Sequence, residues 1–231
     1  MQADAFPYLK NPFDKAVCGL TPLLMAPLRG TLEPPPLGGY RFVAASLGLY
    51  AEARSESVEA RLLKAEASLP YGDVREGIRL VNGPIPAELL AFALAQSRYS
   101  SPDEWAGLIV WNGNSTQYEL VRPELVSASG CHVSYRDTLP DGCGLVVDLH
   151  SHGGLNAFFS PEDDQSDSNG IYIAGVIGRC GPGESQALIF RMVIHGQFFP
   201  VKLVCRNGRF WFVPARDCQS VTAMSVLADA Q

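Results

Sequence analysis

From residue 105 onward the sequence is a succession of short apolar runs, each closed by a turn signal, and this pattern constrains the fold most. Trp105 to Trp111 ends at Asn112-Gly113-Asn114, runs at 116–121 and 131–136 follow, and 144–152 comes after Pro140-Asp141-Gly142. Ile- and Val-rich runs then occupy 171–178 and 186–195. Segments of this length, bounded by Gly, Pro, Asn and Asp, read as strands, because β-branched side chains pack well on a pleated surface. VKLVC and FWFV flank Asn207-Gly208, which suits a tight hairpin turn whose two central residues both need positive φ. One helical pattern precedes the runs: Gly83-Pro84-Ile85-Pro86 opens AELLAFALAQSRY, which stops before Ser101-Pro102. Proline is tolerated at such a start because the first amides of a helix have no intrahelical acceptor. Leu89, Leu90, Phe92 and Leu94 make this helix apolar around much of its girth, so deep burial is expected. The expected class is α/β: a mixed β-sheet with flanking helices, plus a small N-terminal accessory region.

The accessory region has two parts. Residues 1–39 hold seven of the seventeen prolines and end in Pro34-Pro35-Pro36-Leu37-Gly38-Gly39. Proline lacks the amide that a central strand or helix interior needs, so this stretch reads as an arm laid over a surface. Residues 40–80 read as a small β-rich unit, although in SVEARLLKAEASL the apolar spacing fits a helix as well. The main domain is expected over 82–213, with a tail at 214–231.

A net charge of -6 carries no basic footprint for nucleic-acid phosphates. No apolar run approaches the roughly 20 residues of a membrane helix, and MQADAFPYLKNPFDKAV lacks the charged-then-apolar order of a secretory signal. The expected compartment is the cytoplasm. The six cysteines form no Cys-x-x-Cys pair and are read as free, mostly buried thiols.

The segment LVVDLHSHGGLNAFFSPED, at 145–163, carries the chemistry. His150 and His152 stand two apart at the end of an apolar strand, so both imidazoles project to one side. Eleven residues beyond His152, past a glycine-containing loop, stands Asp163. Two imidazoles and one carboxylate are a normal ligand set for catalytic zinc, with a fourth position left for water. Ser160 can cap a helix with Pro161 in its first turn, which would hold the carboxylate on a rigid element. Alone, a His-x-His or a Ser-Pro-Glu-Asp is more often structural; at this spacing the two together point to a metal centre. His132 and His195 stand outside this pattern and are read as structural. Asp164 and Asp167 are expected on the exposed face of the helix, and Trp105, Trp111 and Trp211 in the core or lining a groove.

The string His150-x-His152-x7-Ser160-x-x-Asp163 resembles the signature of the JAMM, or MPN-plus, zinc metalloproteases. Their upstream Glu-x-x-Gly matches Glu104-Trp105-Ala106-Gly107, which follows the helix and leads into a strand. The resemblance covers about 82–213 and implies an MPN (JAB) domain binding one Zn2+ through His150, His152 and Asp163. It further implies Glu104 as general base and acid, and Ser160 as an oxyanion or water contact. Gly153-Gly154 replaces the proline many members carry after the second histidine, and Asp148 stands where a large apolar residue is usual. Asp148 should face the ligand side, where it can orient an imidazole or be simply a solvated strand carboxylate.

The proline-rich start, FVAASLGLYAEAR and the LPYGDV…GPIP lead-in are also similar to the JAB-domain proteins of bacterial PRTRC cassettes. Such cassettes resemble ubiquitin-conjugation systems. This likeness implies as partners a ubiquitin-like protein or its conjugates, and an activating-enzyme-like protein of the same cassette. The leading expectation is an isopeptidase or peptidase cleaving after the C-terminal glycine of a ubiquitin-like protein. The alternatives are a hydrolase of a small amide or sulfur-carrier adduct, and a non-catalytic MPN scaffold.

Overall fold

The computed structural model describes residues 22–129, 132–136, 139–216 and 221–223. Cys18, Cys131 and Cys218, and the side chain of His132, lie outside what is described. The chain divides into two compact units, residues up to 55 with 59–78, and residues 56–58 with 79 onward.

The first unit is built on a five-stranded sheet ordered β1 (Leu23–Met25), β2 (Tyr40–Ala45), β3 (Gly48–Arg54), β4 (Val58–Glu66) and β5 (Gly77–Leu80). The segment with helix-compatible spacing is thus strand β4, and within the proline-rich stretch Leu23–Met25 pairs as an edge strand, parallel to β2. Its core is Ala26, Val43, Ala45 and Tyr50, with Leu32, Leu63, Tyr71 and Val74 packed against them. Arg41, Glu52 and Arg61 are directly opposed on β2, β3 and β4. The buried Glu52 carboxylate accepts from Arg41 Nε at 2.7 Å and from Arg61 Nε at 3.0 Å, so the only acid in the row is paired on both sides.

The second unit follows the apolar runs. Its strands are β6 (Ile85–Pro86), β7 (Ala106–Asn112), β8 (Gln117–Val121), β9 (Glu124–Ser129), β10 (His132–Arg136) and β11 (Cys143–Ser151). These are followed by β12 (Ile171–Gly178), β13 (Ala187–Ile194), β14 (Gln197–Arg206), β15 (Arg209–Pro214) and β16 (Val221–Thr222). Nine of them form one sheet ordered β6-β15-β14-β13-β12-β11-β7-β8, with β16 added to β13, while β9 and β10 form a separate hairpin. The sheet is mixed because β11 and β12 run parallel, their connection containing the candidate metal segment. The β14–β15 turn has φ of 52° at Asn207 and 68° at Gly208, as the Asn-Gly pair requires. Strands β12 and β13 are buried along their whole length, which accounts for their unbroken Ile/Val content.

The helical content of the described residues is smaller than expected. Two helices lie wholly within the described residues, α1 (Ala87–Ser100) and α2 (Pro161–Ser166), and the described part of this unit is sheet-rich rather than a sheet flanked by helices. Helix α1 is also less buried than its composition implies. It buries Ala87, Leu90, Ala93, Leu94 and Ser97, an i, i+3, i+4, i+7 stripe, and leaves Phe92 and Tyr99 exposed. No helix among the described residues is long and apolar enough to cross a membrane. Strand β9 was not foreseen, because ELVSAS has little apolar alternation. Cys180 and Cys205 are buried thiols, and Cys143 is half-buried.

Candidate metal centre

Strand β11 enters the site between β7 and β12. In its register His150 opposes Ala106, and beyond the last strand pair Ser151 N–H donates to Trp105 O at 2.8 Å while Trp105 N–H donates to Ser151 Oγ at 2.9 Å. Glu104 immediately precedes Trp105 and lies near enough to His150 for its charge to act on that imidazole. Residues of like parity share a face, so Asp148, His150, His152 and Glu104 are brought to one side of the sheet. Glu104 is 6% exposed and Asp148 8%, so both carboxylates stand close to the imidazoles in a largely dry environment.

The loop from His152 to Ser160 is laid back over β12. His152 N–H donates to Ile177 O at 2.9 Å, and Cys180 N–H to Gly153 O at 2.8 Å. Gly153 has φ of +53°, and a Cβ there would lie 2.4 Å from Pro102 O, so only glycine passes. The pair Gly153-Gly154 in place of proline is therefore a steric requirement of this chain at its first position. A Cβ at Gly178 would lie 2.1 Å from Ala157 N, which lets the loop cross the strand closely.

The loop delivers Ser160 as N-cap of α2. Ser160 Oγ accepts from Asp163 N–H at 3.2 Å, and Asp163 Oδ2 accepts from Ser160 N–H at 2.7 Å, completing a capping box in which Asp163 takes the place usual for Glu or Gln. Asp163 thereby faces the histidines. His150 Nε2 lies 3.2 Å from His152 Nε2 and 3.1 Å from Asp163 Oδ1, and His152 Nε2 lies 3.6 Å from Asp163 Oδ2. These three side chains can hold a metal ion. They are 12%, 6% and 16% exposed, so the cluster is open to solvent on a limited front, as a site that admits a further ligand must be. The Phe158 ring stands edge-on to His152 with centroids 4.5 Å apart and fixes its plane.

Burial disfavours the charged form of His150, but its hydrogen bond to Asp163 and the negative charges of Asp163, Asp148 and Glu104 outweigh this and raise its pKa. Burial likewise works against the Asp163 carboxylate, yet the hydrogen bonds from His150 and His152, the His150 charge and the Ser160 amide hold it far below the usual carboxylate range. The two shifts act in opposite pH directions. A raised His150 contributes stability that is present below its unfolded value of 6.5 and lost as pH rises through the folded value. A depressed Asp163 contributes stability present above 3.8 and lost as pH falls. The metal-free protein should therefore gain most over a His150→Gln variant between about pH 4 and 6.5, the advantage shrinking as pH rises beyond that range. Melting temperatures of the chelator-treated pair across this range check it, and parallel curves would refute it. Affinity for a metal ion would run the other way, rising with pH, because a protonated His150 would have to lose its proton to coordinate.

One expectation about α2 needs correction. Asp164 is exposed, but Asp167 is buried, where Tyr172 Oη–H donates to its Oδ1 at 2.6 Å and Arg191 to its Oδ2 at 2.7 Å. The fold brings Arg191 there from a distant strand, a pairing that no local pattern announces. Trp105 is fully buried, its ring packed over Gly107.

Residues 86–193 match the family of prokaryotic homologs of the JAB domain, so a JAB-type domain is found there. Residues 11–81 match a domain family of unknown function, DUF2016, which coincides with the accessory region. No curated protein matches the chain. Among solved structures, one match is the solution structure of a Desulfitobacterium hafniense protein, 16% identical, covering 50% of this chain and 87% of that one, with a TM-score of 0.39.

Proposed function

We propose that the chain is a zinc-dependent amide hydrolase, an isopeptidase or peptidase acting after the terminal glycine of a ubiquitin-like protein in a bacterial cassette of the PRTRC kind. The observation that carries the metal assignment is the spacing of the three donors. A tetrahedral ion with bonds of about 2.0–2.1 Å separates its ligand atoms by about 3.3 Å. Here His150 Nε2 lies 3.2 Å from His152 Nε2 and 3.1 Å from Asp163 Oδ1, and the three donor atoms, one from each residue, all lie within 4.8 Å of one another. Two imidazole nitrogens and a carboxylate oxygen also suit zinc chemically, and an ion held by His150, His152 and Asp163 would polarise a carbonyl and lower the pKa of a water from about 15.7 to about 7.

The protein's own groups supply the rest. Glu104 stands on the ligand face, where it takes the proton of the attacking water and returns it to the leaving amine. Its charge is felt at His150, which supports that placement. Ser160 Oγ uses a lone pair for the Asp163 amide and keeps its O–H to donate to the carbonyl oxygen as charge develops. Asp148, on the His150 side of β11, holds the imidazole electrostatically.

A ubiquitin-like substrate is supported by the sequence resemblance of the whole chain and by the JAB-type domain. The small-amide alternative draws on one feature, a cavity of about 480 Å³ lined by Glu104, Asp103, Trp105, Ala106, Arg122 and Pro123, a size that suits a small molecule. The experiment compares hydrolysis of a full ubiquitin-like fusion with that of its isolated C-terminal tail. The fusion should be cleaved after its terminal glycine with kcat/KM at least about 100-fold higher, because remote contacts supply positioning energy. Equal efficiency on both would overturn the ubiquitin-like reading in favour of the small amide.

A further inference from the structure

Arg191, in the middle of β13, is only 4% exposed and lies two strands from the ligand strand. The register aligns Asp148 with Ala174 on β12, Ala174 with Arg191, and Arg191 with Pro200 on β14. Directly opposed residues share a face, so Arg191 rises on the same face as His150, beneath α2. Its guanidinium is sandwiched between the rings of Phe159 and Phe198, at 3.9 and 3.8 Å from their centroids. Those rings pack in turn on Tyr172, Ala174 and Val193. Held flat in this way, the fork donates through Nε and Nη2 to Asp167 Oδ2 at 3.1 and 2.7 Å, and through Nη1 to Asp164 Oδ1.

Asp164 immediately follows the candidate ligand Asp163, and Asp167 stands one helical turn beyond it, its N–H donating to Asp163 O at 2.9 Å. A helix of six residues has too few internal hydrogen bonds to hold its own orientation. The capping box sets the Asp163 carboxylate relative to Ser160, but something must set the helix relative to the sheet that carries His150 and His152. We propose that Arg191 is the positioning residue of the metal centre: by clamping the C-terminal half of α2 to β13, it fixes the distance of Asp163 from the two histidines. This rests on the metal-centre reading above and extends it to a residue outside the signature. Outer groups that orient metal ligands typically contribute 10–100-fold in metal affinity.

The test measures zinc affinity by chelator competition and the visible absorption of the cobalt(II) form, neither of which depends on catalysis. Arg191→Met alone would strand a buried carboxylate and risks unfolding, so it is combined with Asp167→Asn. The double variant should fold, bind zinc at least about 10-fold more weakly and lose intensity in the tetrahedral cobalt bands. Arg191→Lys, which keeps charge but not the planar fork, should fall between it and the wild type. Asp164→Asn loosens one arm of the clamp at an exposed position and should weaken zinc binding severalfold while leaving the melting temperature nearly unchanged. Wild-type affinity and cobalt spectra in both Arg191→Lys and Asp164→Asn would overturn the inference, whether or not the double variant folds. Absence of zinc binding in the wild type, or its persistence in His150→Ala, would overturn the metal-centre reading and the clamp with it.

Discussion

Asp163→Ala is expected to yield protein without bound metal and with a less stable α2, two losses from one carboxylate. The wild type should carry about one zinc per chain, held by three protein ligands. Removing Asp163 leaves two imidazoles, and metal analysis should fall to near zero. The same substitution deletes the acceptor for the Ser160 amide at 2.7 Å, one half of the capping box, at about 1 kcal/mol. His152→Ala separates the two effects. It should abolish metal binding while leaving the box intact, so its chelator-treated form should melt above that of Asp163→Ala. Full metal occupancy in both variants would show the ligand assignment to be wrong.

Glu104→Gln is expected to keep fold and metal and to lose hydrolysis by about 10²–10⁴-fold, the usual contribution of a positioned general acid–base. The change is isosteric, and Glu104 is no part of the donor cluster. What disappears is the ability to carry a proton between water and amine. Metal analysis, melting temperature and turnover on the ubiquitin-like fusion together check it. Near wild-type turnover would move the proton transfer to another group, and a variant lacking metal would make Glu104 a structural support of the site.

Much of the second unit was legible in the chain because its cues are local. Turn residues and β-branched runs announce where strands begin and end, and Ser160-Pro161 announces a helix start, since these depend on nearest-neighbour sterics and on amides lacking partners. The two-residue spacing of His150 and His152 places their rings on one side by strand geometry alone. The helical reach of α1 was readable as well, but not its burial, because an apolar count says nothing about which face meets the sheet. Phe92 and Tyr99 stay exposed while the smaller Ala87, Ala93 and Ser97 are buried.

What lay beyond the sequence is long-range. That Glu104 comes near His150 follows from the antiparallel pairing of β7 with β11, which sets Ala106 opposite His150, 44 residues further along the chain. That Asp167 is a buried partner and not a solvated carboxylate follows from Arg191 on a third strand. Asp-Asp-Gln-Ser-Asp reads locally as a polar helix face, and only the tertiary fold supplies a guanidinium beneath it. The sequence by itself determined the candidate donor set and the caps beside it, because these are properties of short stretches of chain. Strand order and register decided which charges meet, since burial and Coulombic pairing act between whichever groups the sheet brings together, however far apart they stand in the chain.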